Sequence, residues 1–253
     1  MIDWRQIDSV LLDMDGTLLD LHYDNQFWQE LIPHRYALSR GLDVNTAKAV
    51  LKPIFKRRES TLDWYCIDYW SRELRLDIPL LKREVAHLIA VQPHVLDFLR
   101  SLRAAAKQVL LVTNAHHKSL ALKLEYTRLG DYLDTIVSAH DIGYPKEDPL
   151  FWRQLAECHP YVPGRTLLID DNLAVLRSAR RYGIAHLLAV QQPDSRRPPA
   201  DTGEFAALRD FRTITPASSV LNPPPLAAGV GAGESPRVAD DASTGFPVSS
   251  HNK

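Results

Sequence analysis

Cysteine is scarce in this chain, which has two among 253 residues. Cys66 and Cys158 lack the spacing of a metal-ligand motif, and the pair does not indicate a disulfide framework. No apolar run reaches the length that crosses a membrane, and the first residues show no signal-peptide pattern. We therefore expect a reduced, cytoplasmic protein without a membrane partner.

An excess of one charge sign is also lacking, because 30 basic residues nearly balance 31 acidic ones and the net charge is −1. Nothing in this balance favours a nucleic acid as a partner. The chain does have 45% hydrophobic and 24% charged residues, which is enough for a core in one or two domains. The composition carries no indication of the oligomeric state.

Short apolar runs alternate along the chain with segments of helical spacing. The five runs are residues 9–13, 108–113, 134–138, 166–170 and 185–190. Alternation of strands and helices predicts an α/β fold with a Rossmann-like parallel sheet and helices on both faces. Gly130 and Gly183 are predicted to end two of these helices, because glycine favours the backbone conformation that follows a helix.

The alternation is interrupted once and ends before the chain does. Residues 21–92 contain no clear strand and have much helical spacing, so we expect a helical insertion after the first strand. The sheet domain would then comprise residues 1–20 and 93–215. Residues 216–253 are rich in proline, glycine and serine and are predicted to be a disordered tail.

The first apolar run leads directly into two carboxylates, Asp13 and Asp15, followed by Gly16 and Thr17. Side chains at i and i+2 of a strand end point the same way, so these carboxylates should lie close together. Like charges at such range resist joint ionisation unless a cation lies between them. The run is therefore a candidate Mg²⁺ site, with one carboxylate free to attack and one to move protons.

Polar residues follow later strands as well. Thr113 and Asn114 end one run, where they suit either a phosphate oxygen or the capping of a helix. Lys146 lies in a loop after Pro145, and the alternative to a site cation is a solvated lysine. Asp170 and Asp171 end the fourth run, and buried paired acids are costly without a cation, which favours a metal site.

These four motifs, in this order, resemble those of the haloacid dehalogenase-like phosphotransferases. The resemblance implies that Asp13 is a nucleophile and Asp15 an acid and base. It also implies that Thr113, Asn114 and Lys146 hold the phosphate. Asp13, the backbone carbonyl of Asp15, Asp170 and Asp171 would bind Mg²⁺, with Asp171 favoured as the direct ligand. Residues 21–92 would be the family's helical cap over the Rossmann-like core.

A closer resemblance extends over about residues 1–215. The segments 24–28, 63–71, 143–148 and 193–195 resemble the bacterial GMP/IMP nucleotidase family. This implies hydrolysis of purine 5′-mononucleotides to nucleoside and phosphate.

Five residues of the predicted cap are candidates for substrate specificity. They are Asp24, Asn25, Trp64, Tyr65 and Tyr69. Aromatic faces stack well on purines. The alternatives are that the aromatic residues form the core of the cap, and that Asp24 and Asn25 cap a helix.

Other functions share the four motifs. The chain could be a sugar-phosphate or phosphoglycolate phosphatase, or a phosphomutase, because only the cap distinguishes them. A non-catalytic phosphate-binding module is a further alternative, although the chain retains every residue that the chemistry needs.

Overall fold

A computed structural model describes residues 2–216 of the chain. Its six strands form one fully parallel sheet in the order β3-β2-β1-β4-β5-β6. The strands are β1 (Ser9–Leu12), β2 (Gln108–Thr113), β3 (Thr135–Ser138), β4 (Thr166–Asp170), β5 (His186–Val190) and β6 (Ala206–Leu208). The parallel α/β fold is as predicted, and the five apolar runs form the first five strands. The three residues of β6 were not predicted, because so short a segment has no readable periodicity.

The strands are apolar because both faces of the sheet are covered. In β1 every residue is buried, and Val10 and Leu12 face one hydrophobic cluster while Leu11 faces another. The first cluster includes Phe98, and the second includes Trp152. Parallel sheets buried on both faces read as continuous hydrophobic runs, which is the pattern of this sequence.

Five helices accompany the strands after β1 and its insertion. They are α7 (Val95–Ala104), α8 (His117–Thr127), α9 (Ala139–Ile142), α10 (Pro149–Cys158) and α11 (Leu173–Tyr182). Asp148 and Asn172 cap α10 and α11 by accepting hydrogen bonds from backbone N–H groups. Gly183 ends α11 with φ +112°, as predicted. The prediction for Gly130 is wrong, because Arg128 takes the left-handed conformation after α8 and Gly130 lies in a 3₁₀ turn.

The segment between β1 and α7 is helical. Its helices are α1 (His22–Gln26), α2 (Ile32–Arg40), α3 (Val44–Lys56), α4 (Leu62–Tyr65), α5 (Ile67–Leu74) and α6 (Ile78–Glu84), with a π-helical turn over Phe27–Leu31. These helices have a hydrophobic cluster of their own, which includes Phe27, Leu51 and Trp70. No helix within residues 2–216 is long and apolar enough to cross a membrane. The predicted disordered tail lies outside the described residues, apart from Pro216.

We expect Gly183→Ala to destabilise the fold by about 1–2 kcal/mol, because an L side chain at φ +112° is strained. A Cβ at Gly183 would meet no atom within 4 Å, so the loss would report backbone strain alone. Gly164→Ala is the matched control, because Gly164 has equally open space and no positive φ in the strained range. Urea unfolding measures both variants, and equal midpoints would contradict the prediction.

Candidate active site

The predicted motifs meet at the carboxyl edge of the sheet. Asp13 directly follows β1, Thr113 ends β2 and Asp170 ends β4, and these three strands are neighbours. All three side chains are buried. Ligand sites of open α/β sheets lie at this edge, because loops at the strand ends leave a crevice there.

A cavity of about 450 Å³ opens over this edge. Its floor is made by the strand ends and its other side by residues of the helical segment between β1 and α7. The charged side chains that line it are Asp13, Asp15, Asp24, Lys82, Lys123, Lys146, Asp170 and Asp171. Cavities of a few hundred Å³ are typical of small-molecule sites.

Lys146 is a buried ion-pair partner in this site, so the alternative of a solvated loop lysine is wrong. Its Nζ contacts Asp13 Oδ1, lies 2.7 Å from Asp170 Oδ2 and donates to the Val112 carbonyl at 3.1 Å. Burial disfavours the ammonium form, yet Asp13 and Asp170 hold the pKa of Lys146 above its ordinary value. The lysine is therefore a permanent cation between two carboxylates.

Three carboxylates converge in a geometry that can hold a metal ion. Oxygen atoms of Asp13, Asp170 and Asp171 lie within 4.8 Å of one another. Burial, reinforced by Asp13 and Asp170, raises the pKa of Asp171 well above its ordinary value. Asp171 is not ion-paired within residues 2–216, where Lys146 already serves the other two carboxylates.

The charge balance of the cavity also fits a divalent cation. Five carboxylates and three ammonium groups line it, a formal excess of two negative charges. Carboxylate oxygens are the ligands that hard cations prefer. A Cβ on Gly16, whose φ is +86°, would lie 2.5 Å from Asp171 Oδ2. Only glycine therefore allows Asp171 to approach the turn after β1 so closely.

Asp15 has a different partner, the buried Lys123 of α8. Lys123 Nζ lies 2.7 Å from Asp15 Oδ1. Burial raises the pKa of Asp15 to about 6, with Lys123 acting in the opposite direction. Burial likewise raises the pKa of Asp13 to about 6, against the influence of Lys146. Two neighbouring carboxylates thus have separate cations, which gives them different environments.

Asp24, predicted to contact substrate or cap a helix, is held in ion pairs. Lys123 Nζ lies 2.6 Å from its Oδ2 and Lys82 Nζ lies 2.9 Å from its Oδ1. Burial would raise the pKa of Asp24, but the two lysines lower it to about 2. Asp24 lines the cavity, although both of its oxygens are already paired.

Thr113 and Asn114 shape the loop at the end of β2. Thr113 Oγ1 accepts a hydrogen bond from the backbone N–H of Ala115 at 3.0 Å, and this contact is of the capping kind. Asn114 Oδ1 accepts from the Lys146 backbone N–H at 2.9 Å. Both residues line the cavity, so the phosphate-binding prediction remains compatible with these contacts.

Glu147 joins several elements around the site. It accepts hydrogen bonds from the Tyr65 hydroxyl at 2.6 Å, from Asn114 Nδ2 at 3.0 Å and from Asn172 Nδ2 at 3.2 Å. Tyr65 belongs to the helical segment, while Asn114 follows β2 and Asn172 follows β4. The glutamate therefore links the segment to the loops that carry Asn114 and Lys146.

Aromatic residues of the helical segment line the cavity and also pack against one another. Trp64 and Tyr65 line the cavity, together with Trp28, Phe55 and Trp70. Trp64 also packs edge-on against Phe55 and Trp70 in the cluster of the helical segment. The aromatic residues thus form both a core and a cavity wall.

Of the two remaining specificity candidates, Asn25 lines the cavity and Tyr69 does not. Tyr69 is not among the residues that line the cavity, and its hydroxyl accepts a hydrogen bond from Arg58 Nε at 2.8 Å. The substrate contact predicted for Tyr69 therefore has no support from the lining of this cavity. Asn25 does line the cavity, and its Nδ2 donates to Asp194 Oδ2 at 2.6 Å in the loop after β5.

Sequence reasoning missed Lys82, Lys123 and Glu147. The two lysines carried a weak signal, because Lys82 lies four residues after the apolar Ile78 and Lys123 lies three residues after the apolar Leu120 of the same helix. Positions i and i+3 or i+4 share a helix face, so this spacing places both lysines on an apolar face. Glu147 carried no comparable signal, since its partners come from three separate loops and helices.

Comparisons with known proteins show which family the chain resembles. The family model described as haloacid dehalogenase-like hydrolase matches residues 7–183. The chain is 41% identical over 215 residues to the GMP/IMP nucleotidase of Escherichia coli, covering 85% of this chain and 97% of that protein. It is 28% identical over 193 residues to the phosphoglycolate phosphatase of Nitrosospira multiformis, covering 73% of this chain and 83% of that protein.

A solved structure shows the same fold. The crystal structure of a HAD phosphatase from Thermococcus onnurineus matches with a TM-score of 0.70 at 21% identity, and the match covers 85% of this chain and 98% of that one. The matched family model spans all four motifs that meet at the cavity. The chain belongs to the haloacid dehalogenase-like hydrolase family.

Proposed function

We propose that this enzyme hydrolyses purine 5′-mononucleotides such as GMP and IMP to nucleoside and phosphate, with Mg²⁺ as cofactor. The observation that carries the proposal is the pair Asp13 and Asp15 at one cavity, each with its own buried lysine. The 41% identity to a GMP/IMP nucleotidase, over 97% of its length, supports the nucleotide as substrate.

Asp13 is the nucleophile in this proposal. One carboxylate oxygen attacks phosphorus in line and forms an aspartyl-phosphate while the ester oxygen leaves. Asp15 protonates that leaving oxygen and afterwards takes a proton from the water that hydrolyses the intermediate. A pKa of about 6 suits a group that must exist in both protonation states near neutral pH.

Thr113, Asn114 and Lys146 hold the phosphate oxygens in the proposed reaction. Lys146 supplies a fixed positive charge beside Asp13, and stabilisation of a phosphoryl transition state is mostly positioning and electrostatics. Asp13, Asp170, Asp171 and the backbone carbonyl of Asp15 would hold Mg²⁺. When bound, the cation shields the anionic nucleophile from the anionic phosphate.

Residues 21–92 act as the cap domain in this proposal, over a catalytic core of residues 1–20 and 93–215. Trp64 and Tyr65 offer aromatic surface to a purine, and Asn25 offers an amide at the same cavity. A cap excludes water and selects the substrate. We infer a cytoplasmic enzyme whose partner is the small-molecule phosphate ester.

Phosphoglycolate hydrolysis is the second candidate. The relative at 28% identity is a phosphoglycolate phosphatase, and the four motifs would serve both substrates equally. The aromatic cavity wall favours the nucleotide, because phosphoglycolate has no ring to stack.

A substrate panel tests the proposed function. We expect phosphate release with Mg²⁺ at pH 7 from GMP and IMP in preference to AMP, pyrimidine monophosphates, sugar phosphates and phosphoglycolate. Asp13→Asn removes the nucleophile and should lower kcat on the order of 10³-fold or more. Preference for phosphoglycolate would keep the mechanism and overturn the substrate.

Gly16→Ala should weaken the metal site, because its Cβ would displace the Asp171 carboxylate. We expect the Mg²⁺ concentration for half-maximal activity to rise about 10- to 100-fold, the usual effect of losing support around a metal. Gly41→Ala is the matched control, with φ +63°, open space and a position outside the cavity. An unchanged Mg²⁺ requirement in Gly16→Ala would contradict the assignment of Asp171 as a metal ligand.

Trp64→Ala tests the aromatic wall. Loss of base stacking costs about 1–3 kcal/mol, so kcat/KM for GMP should fall about 5- to 150-fold. Activity on phosphoglycolate, which has no base, serves as the internal control for folding and chemistry. Equal losses on the two substrates would show that Trp64 acts only through the packing of its helical cluster.

A further inference from the structure

Asp15 forms an ion pair with the buried Lys123, which also contacts the helical segment. Lys123 on α8 is 1% exposed, and its Nζ lies 2.7 Å from Asp15 Oδ1 and 2.6 Å from Asp24 Oδ2. Asp15 lies in the turn after β1, whereas Asp24 lies on α1, the first helix of the segment. One ammonium group therefore connects the carboxylate of the sheet domain to that of the segment.

Asp24 is itself held from its other side. Lys82 Nζ lies 2.9 Å from Asp24 Oδ1, and it also lies 4.9 Å and 4.5 Å from the ring centroids of Tyr23 and Phe27. Both lysines are buried, and a buried charge without a partner is strongly destabilising. If Asp24 turned away, Lys82 would lose its one carboxylate partner among the described residues and Lys123 would lose one of its two. Asp24 therefore restricts where Lys123 can point.

The Lys123 pair is distinct from the ion pairs around the nucleophile. Lys146 contacts Asp13 and Asp170, while Lys123 contacts Asp15 and Asp24. The side chain of Asp15 therefore has its orientation set by α8 and α1 rather than by the loop that carries Lys146. This separation matters because Asp13 and Asp15 must perform different steps at adjacent positions.

We propose that Lys123 and Asp24 are positioning residues that hold the Asp15 carboxyl towards the leaving oxygen of the phosphate ester. The proposal rests on the proposed function, since it requires Asp15 as the acid. In that step the Asp13 oxygen forms a bond to phosphorus and the ester P–O bond breaks. The bonding electron pair goes to the leaving oxygen, which takes the proton from Asp15.

Leaving-group dependence tests this role. Phenyl phosphate and 4-nitrophenyl phosphate have nearly the same size, but nitrophenolate leaves readily without a proton and phenolate does not. The value of kcat/KM reports steps up to the first phosphoryl transfer, so it isolates the step in which Asp15 is the acid. In Lys123→Met and Asp24→Asn, we expect kcat/KM for phenyl phosphate to fall about tenfold more than for 4-nitrophenyl phosphate.

Lys118→Met is the matched control. Lys118 lies on the same helix and also forms an ion pair with the segment, 2.7 Å from Asp68 Oδ1, but it is exposed and does not line the cavity. It should leave the ratio of the two substrates unchanged. If Lys123→Met does not fold, as judged by circular dichroism, Asp24→Asn keeps the same side-chain shape and carries the test.

Equal losses on both esters, or no loss, would overturn the positioning role and leave the proposed function intact. Such a result would mean that the ion pairs only secure the segment to the sheet. GMP is measured beside the aryl esters with the wild-type enzyme. Activity on the aryl esters without activity on GMP would overturn the nucleotide assignment alone, and no activity on any of the three would overturn the phosphatase chemistry and the positioning role together.

Discussion

Burial of several carboxylates at one edge of a parallel sheet is the constraint on which this structure depends. Asp13, Asp170 and Asp171 lie within 4.8 Å of one another, and burial raises the pKa of each. Such a cluster is stable only if cations compensate it. Lys146 compensates two of its members, and the excess negative charge suits a divalent ion.

The same constraint explains the architecture around the cluster. The carboxylates follow neighbouring strands because parallel strands end at a common edge, and their backbones stay aligned through the ladder of β1, β2 and β4. Gly16 allows Asp171 to approach the turn after β1, and Asn114 holds the backbone at Lys146. Local backbone geometry and buried electrostatics therefore support each other in the site.

The helical segment contributes charge as well as surface. Asp24 and Lys82 extend the ion pairs of the site into α1 and α6, while Tyr65 donates a hydrogen bond to Glu147, the residue after Lys146. Contacts from the segment thus reach both the lysine that pairs with Asp15 and the loop of Lys146. A cavity built in this way combines a fixed charged floor with an aromatic wall.

Much of this arrangement could be predicted from the order of residues along the chain. Apolar runs of five or six residues predicted the first five strands because both sheet faces are buried, and carboxylates at the ends of such runs predicted the shared edge. Gly183 was predictable because it needs only its own left-handed conformation, whereas Gly130 was not, because Arg128 adopts that conformation two residues earlier.

Tertiary structure alone decided which charges meet. Lys123 and Asp15 are 108 positions apart, and Lys82 and Asp24 are 58 apart, so no local pattern links them. Tyr65 and Tyr69 are four positions apart but lie on successive helices, α4 and α5. Tyr69 accepts a hydrogen bond from Arg58, whereas Tyr65 lines the cavity. The sequence by itself predicted five of the six described strands and the polar motifs that follow them, because these depend on local periodicity and on order along the chain. The pairing of buried lysines with buried acids followed only from the packing of α1, α6 and α8, because the cost of an unpaired buried charge depends on the whole fold.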